Sequence, residues 1–288
     1  MRVVLIIGIV LFISLESHAQ QRDTLYLWPG EVPGAIEAKH PPVQTSDTSR
    51  GVTRFTDITN PAIEIMLPDE ELRNGASVII SPGGGYSYLA INIEGYEIGR
   101  WLNELGFTAF VLQYRAPDQM EKALYDVQRA IRMVRSRSSE WGVDPQKVGV
   151  MGFSAGGHLS AAAGTRFSET TYAKQDRIDE LSARPDFALL IYPAYLDGGE
   201  NGNITPELTV SDDTPPMFLF ATVDDPYASS STLVMAEELM KNDIPYELHI
   251  LPEGGHGYGL RKGNTAAETW PELARSWLER VVSGNEEN

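Results

Sequence analysis

The sequence contains no cysteine. That absence excludes disulfides, a thiol nucleophile, cysteine–zinc sites and a lipid-bearing N-terminal cysteine together. The fold must be held by its core alone. Positive charge is also scarce: 23 Lys and Arg stand against 40 Asp and Glu, for a formal net charge of −17. Such a surface repels nucleic acid and anionic membranes, so neither is an expected partner. No G-K-[ST] phosphate loop and no G-x-G-x-x-G opening a helix occurs, and no cofactor is expected. There is no internal repeat, low-complexity tract or interdomain linker. Five histidines are present, so candidates for a general base are few.

The longest apolar run is "VVLIIGIVLFISL", directly after Met1 and Arg2. It is short for a bilayer span, and "ESHAQ" follows it. A basic start, an apolar core and a small-x-small site form a secretory signal peptide. We place cleavage after Ala19, so residues 1–19 leave and the mature chain begins near Gln20. The expectation is a secreted or periplasmic protein, free of the membrane after cleavage. A membrane anchor is the alternative reading of the same run. The 288 residues, 42% of them hydrophobic, leave enough for one domain over residues 20–288 with a substantial core.

Residues 20–50 are rich in Pro, Gly and Thr and read as an irregular arm. "GVTRFTDI" (51–58) alternates with period two and predicts an edge strand, and "AIEIML" (62–67) predicts a second. Then come "ASVIIS", "TAFVLQY", "KVGVMG", "FALLIYP", "PMFLFAT" and "YELHILP". These short, mostly apolar runs predict strands covered on both faces. Helical patterns lie between them at 93–105, 123–138, 230–241 and 269–282. Strand–helix alternation after two antiparallel starters predicts an α/β fold: a mainly parallel sheet with helices on both faces. Ligands bind such sheets at the carboxyl ends of the strands.

One strand ends in "GFSAGGHLSAAAG". Ser154 sits between strand and helix, flanked at two before and two after by Gly152 and Gly156. A sharp turn that exposes a serine oxygen crowds those two positions, so only small residues fit. Ser154 is the candidate nucleophile. Of the histidines, His18 leaves with the signal, His40 is in the arm and His249 lies inside a strand. His158 falls one turn down the helix behind Ser154, where a packing or hydrogen-bonding role is expected. His256, in "PEGGHGYGL" after the last strand, hangs where a base must hang. A carboxylate should orient it, and "ATVDDPY" offers Asp224 and Asp225. The Asp-Pro turn favours Asp225, though local sequence leaves both open; the other would cap the next helix or face solvent. The order Ser, Asp, His along the chain is that of α/β-hydrolases. Upstream, "SPGGGYSY" (81–88) supplies glycines whose N–H groups can approach a substrate oxygen. Gly84 and Gly85, with Ala155 after the serine, are the candidate oxyanion donors, and Gly83 is a further possibility.

The stretches "LYLWPGEVPGA", "SPGGGYSYLAINIEGYEIGRWLNELGFTAFVLQYR", "DVQRAIRMVRSRSSEWGVDPQKVGVMGFSAGGHLS", "RPDFALLIYP" and "VDDPYASSSTLVMAEELMKNDIPYELHILPEGGHGYGL" resemble secreted α/β-hydrolases of the carbohydrate-esterase type. These include acetyl-xylan, feruloyl and xylanase-like esterases. The resemblance implies an α/β-hydrolase fold and places the family's serine, acid and histidine on Ser154, Asp225 and His256. It places the oxyanion loop on residues 83–86. Relatives often carry His where Ile93 stands, which implies a difference in specificity if that position touches substrate.

The expected activity is cleavage of carboxylic esters through an acyl-enzyme, with short acyl groups on a polysaccharide such as xylan as substrate. A prolyl-oligopeptidase-like peptidase and a silent binding protein are the competing readings. The first usually carries a propeller for which this chain is too short; the second usually lacks one member of the triad. Segments 165–186 and 194–214 follow strands at the active edge and predict a substrate-selecting rim or lid. Tyr86, Tyr88 and Tyr195 are candidate sugar-stacking residues.

Overall fold

The computed structural model describes residues 23–284. The expected signal peptide lies outside the described residues. Among the described residues there are eleven strands in chain order. They are β1 (Asp23–Tyr26), β2 (Val43–Gln44), β3 (Arg54–Thr56), β4 (Ala62–Met66), β5 (Ser77–Ser81), β6 (Leu89–Ala90), β7 (Thr108–Gln113), β8 (Val148–Phe153), β9 (Ala188–Ile191), β10 (Met217–Thr222) and β11 (Tyr246–Leu251). The helices are α1 (Glu97–Glu104), α2 (Met120–Ser136), α3 (Ala155–Thr165), α4 (Ser229–Lys241) and α5 (Trp270–Ser283).

The main sheet has eight strands in the order β1-β4-β7-β5-β8-β9-β10-β11. β1 and β4 pair antiparallel at one end, and every pairing from β7 onward is parallel. β5, β7, β8, β9 and β10 are buried along their whole length, as the near-continuous apolar runs require when helices cover both faces. β11 differs from expectation. It is the outer strand and is only partly covered, because nothing pairs beyond it.

Small residues let layers approach. A side chain at Gly149 in β8 would lie 2.1 Å from the Phe187 ring, so the glycine is where that ring rests on the sheet. α3 is buried at every position, and a side chain at its Gly157 would lie 2.8 Å from Pro193. Its "AGGHLSAAAG" composition is what permits a helix so close to the strands.

Three expectations need correction. The edge strand is β1, inside the stretch read as an irregular arm; its four residues are too few and too exposed to carry a clear period. Residues 51–58 supply β3, which belongs to a separate three-stranded sheet, β2-β3-β6. The arm is also anchored: Trp28 Nε1 and three N–H groups of Arg115 all donate to the buried Asp126 carboxylate. Segment 165–186 is no lid. It packs on α2, where Asp176 and Asp179 accept from Arg129 and Thr171 donates to Gln128.

Candidate active site

Ser154 occupies the single residue between β8 and α3, with φ 52° and ψ −119°. That left-handed region is unfavourable for a residue with a Cβ, by about 1–3 kcal/mol, and persists only where surroundings impose it. Here they do. The Ser154 N–H donates to Ile191 O at 3.2 Å, and Ser154 O accepts from His158 N and Ala194 N. A Cβ at Gly152 would lie 1.9 Å from Gly156 O, and one at Gly156 would lie 1.9 Å from Ser81 O. Both approaches are to backbone that cannot move aside, so the G-x-S-x-G spacing follows from the tightness of the turn.

His256 reaches this serine from the loop after β11. Its Nε2 is 2.8 Å from Ser154 Oγ, and its Nδ1 is 2.6 Å from Asp225 Oδ2. Asp225 is 1% exposed, and its other oxygen accepts from the N–H groups of Tyr227 and Ala228. Oδ1 is taken by two backbone N–H groups, and an ionised carboxylate can only accept, so Oδ2 calls for an N–H from the imidazole. The relay therefore places the proton on His256 Nδ1 and leaves Nε2 to accept from the serine hydroxyl. Asp224 has a separate position. Its exposed carboxylate accepts from Gly254 N and Gly255 N, and the Gly255 bond is the chief reason its pKa falls below the usual carboxylate value. The pair that local sequence could not separate thus divides by burial: Asp225 turns inward to His256, and Asp224 ties the histidine loop to the end of β10.

The loop after β5 presents its carbonyls inward to its own turn. Gly83 O accepts from Ala90 N, and Gly84 O accepts from Ser87 N and Tyr88 N. Gly84 has φ +136° and would place a Cβ 2.0 Å from Tyr88 O. Among the described residues, the N–H groups of Gly84, Gly85 and Ala155 donate to no protein group, and Gly84 and Gly85 line the same cleft as Ser154. Gly83 is different: its N–H donates to Glu94 Oε2 at 2.8 Å and is not available to a ligand.

The cleft has a volume of about 400 Å³. One wall is the small apolar group Val52, Ala90 and Ile93, with Tyr88 against it. Tyr195, 46% exposed, and Tyr227, 62% exposed, also line the cleft. Tyr86 is not available for stacking. It is 3% exposed, and its hydroxyl lies 2.7 Å from His158 Nδ1. Burial drives the His158 pKa down to about 4, so the ring is neutral. Tyr227 and Glu94 escaped the sequence reading. The signal for Glu94 was present, as a lone acid within the otherwise uncharged "AINIEGY". Of segment 194–214, expected as a rim, Ala194 and Tyr195 line the cleft and residues 196–214 do not. Among the described residues, Glu37, His40 and Asp57 are close enough to share a metal ion, but none lines the cleft. No helix of the described residues is long and apolar enough to cross a membrane.

A crystal structure of an acetyl ester-xyloside bifunctional hydrolase from Caldicellulosiruptor lactoaceticus is 30% identical in sequence. It superposes with a TM-score of 0.71, covering 90% of this chain and 96% of that one. The chain belongs to the α/β-hydrolase esterases. The family model BD-FAE matches residues 63–190, which run from β4 into β9 and include Ser154 and the glycine loop. An acetylxylan esterase of Xylanibacter ruminicola is 29% identical over 270 residues, 85% of this chain and 53% of the relative. The endo-1,4-beta-xylanase B of Butyrivibrio fibrisolvens is 28% identical over 221 residues, 68% of this chain and 34% of the relative. This esterase-family chain therefore spans about half and about a third of those two curated relatives.

Proposed function

We propose that the chain is a serine esterase that removes short acyl groups, acetyl foremost, from a polysaccharide such as xylan. The observation that carries the reading is the relay Asp225–His256–Ser154, at 2.6 and 2.8 Å, beside three uncommitted N–H groups. In this account His256 Nε2 takes the hydroxyl proton as Ser154 Oγ attacks the ester carbonyl. The Asp225 carboxylate stabilises the imidazolium that forms. The N–H groups of Gly84, Gly85 and Ala155 stabilise the oxyanion, at the N-terminus of α3, whose dipole favours negative charge. His256 returns the proton to the leaving alcohol, and water then repeats the sequence on the acyl-enzyme.

The substrate reading draws on two further features. The apolar wall of Val52, Ala90 and Ile93 suits a methyl group, and the exposed Tyr195 and Tyr227 rings suit the flat faces of sugars. Similarity to an acetylxylan esterase and to an acetyl ester-xyloside hydrolase points the same way. We place the protein outside the inner membrane, secreted or periplasmic, on the strength of its N-terminal sequence.

The test is acetate release from acetylated xylan, compared with aryl acetates, longer aryl esters, feruloyl esters and peptide amides. The expected result is release from xylan with acetyl preferred over longer acyl groups. Activity confined to peptides, or none on any ester, would overturn the reading.

A further inference from the structure

Glu94 is a buried carboxyl that the mechanism above does not use. It is 3% exposed, and burial raises its pKa. A carboxyl is not placed in such a site without partners, and here each oxygen has one. Oε2 accepts from Gly83 N at 2.8 Å, and Oε1 accepts from the Tyr192 hydroxyl at 2.9 Å. The local backbone is unusual as well. Residues Asn92–Tyr96 form a π-helical turn, a wide turn that occurs mostly at functional sites, and it carries Glu94 beneath the glycine loop.

The two partners lead to the two loops that complete the site. Gly83 immediately precedes the donors Gly84 and Gly85. It is so close to both neighbours that a Cβ there would lie 2.7 Å from Glu94 Oε2 and 2.9 Å from Ser154 Cβ. Fixing the Gly83 N–H fixes the peptide plane from which the next two N–H groups are set. Tyr192 follows β9, and its hydroxyl accepts from Gly259 N at 3.0 Å, three residues beyond His256. Its ring also packs edge-on against His256, with centroids 5.1 Å apart. Gly259 is held from its other side by the Trp270 indole, which donates to Gly259 O at 2.9 Å.

We infer that Glu94 is a positioning residue: it ties the oxyanion loop to the histidine loop through Gly83 and Tyr192, and so sets both relative to Ser154. This rests on the proposed esterase mechanism, because it concerns the geometry of that same site. Each contact alone contributes modestly to stability. The consequence for rate is larger, because misplacing an oxyanion donor costs about 10²–10³ in kcat.

The experiment measures kcat and KM on 4-nitrophenyl acetate, together with thermal midpoints, for wild type, Ser154→Ala, Glu94→Leu, Glu94→Gln and Tyr192→Phe. Wild type should turn over and Ser154→Ala should not; if wild type is inert, the esterase reading itself fails. With wild type active, Glu94→Leu should lose about 100-fold in kcat with KM within about threefold. Glu94→Gln keeps an oxygen for the Gly83 N–H and should recover most of that loss. Tyr192→Phe removes the hydroxyl that joins Glu94 Oε1 to Gly259 N but leaves the Gly83 bond, and should fall between. A Glu94→Leu enzyme that folds and keeps kcat within threefold of wild type overturns the inference. If Glu94→Leu does not fold, Tyr192→Phe and Glu94→Gln decide. A lowered kcat in Tyr192→Phe at an unchanged thermal midpoint supports the link, and an unchanged kcat overturns it. Rates that fall only in step with thermal midpoints also overturn it.

Discussion

Replacing Asp225 by Asn keeps the shape of the side chain and changes one hydrogen-bond capacity. Asp225 Oδ2 faces His256 Nδ1 at 2.6 Å, and its Oδ1 accepts from Tyr227 N at 2.9 Å and Ala228 N at 3.2 Å. An Asn has one acceptor and one donor for these two places. If its oxygen stays on the two backbone N–H groups, its NH₂ faces His256 Nδ1. That nitrogen must then be the acceptor, the proton moves to Nε2, and Nε2 can no longer take the Ser154 proton. If the amide flips, its NH₂ points at two backbone donors and leaves them unpaired in a buried place. The first arrangement is cheaper and is the one expected. Trapping the wrong tautomer lowers kcat by about 10⁴, or about 5.5 kcal/mol in the barrier. Asp224→Asn is the internal control. It braces Gly254 and Gly255 from an exposed position and keeps one acceptor oxygen, so a loss below about tenfold is expected. Turnover of 4-nitrophenyl acetate by both variants decides. An Asp225→Asn enzyme above about 1% of wild type, or equal losses in both variants, would refute the tautomer argument.

Gly156→Ala places a Cβ 1.9 Å from Ser81 O, between two backbone segments that pack directly. Destabilisation of roughly 3 kcal/mol or more is expected from the urea midpoint, and a change below about 0.5 kcal/mol would contradict the close-approach reading. His158 has a folded pKa of about 4 against 6.5 in the unfolded chain. As pH falls below about 6.5 the unfolded state takes the proton first, so stability drops until the pH reaches about 4. The whole effect is at most about 3 kcal/mol. Denaturation curves of His158→Gln across that window should be flatter than those of wild type by this amount; parallel curves would refute it. Tyr227→Ala should lose about fivefold more efficiency on acetylated xylan than on an aryl acetate, as expected for a ring that holds sugar and not the acyl group. The Tyr227 ring also packs edge-on against His256, with centroids 5.2 Å apart, and equal losses on the two substrates would show that it acts only through that contact.

The central strands were legible because burial on both faces leaves continuous apolar runs such as "ASVIIS" and "PMFLFAT", and α1, α2, α4 and α5 because each buries one stripe. β1 was not: the four residues of "DTLY" are too few and too exposed to show a period. β3 was read as a strand from the alternation in 51–58, but its place in a small second sheet is set by pairing with β2 and β6, which its own residues do not show. The turn at Ser154 was legible because its crowding restricts Gly152 and Gly156 to small residues. His256 was legible by elimination among five histidines and by its place after the last strand. The choice between Asp224 and Asp225 depends on which carboxylate is buried, and burial of one of two adjacent residues is decided by the fold around the turn. Glu94 shows the same limit more strongly. Its partners, Gly83 and Tyr192, are 11 and 98 residues away, and only the folded sheet brings them to one carboxyl.

The central claim is that Ser154, activated by His256, is the nucleophile. It is tested most directly by the mass of the intact protein after reaction with a fluorophosphonate, followed by peptide mapping of the adduct. The account expects one adduct per chain, on Ser154, with labelling abolished in Ser154→Ala and slowed by orders of magnitude in His256→Ala. A wild-type chain that remains unlabelled, or an adduct that persists on another residue when Ser154 is absent, would contradict it.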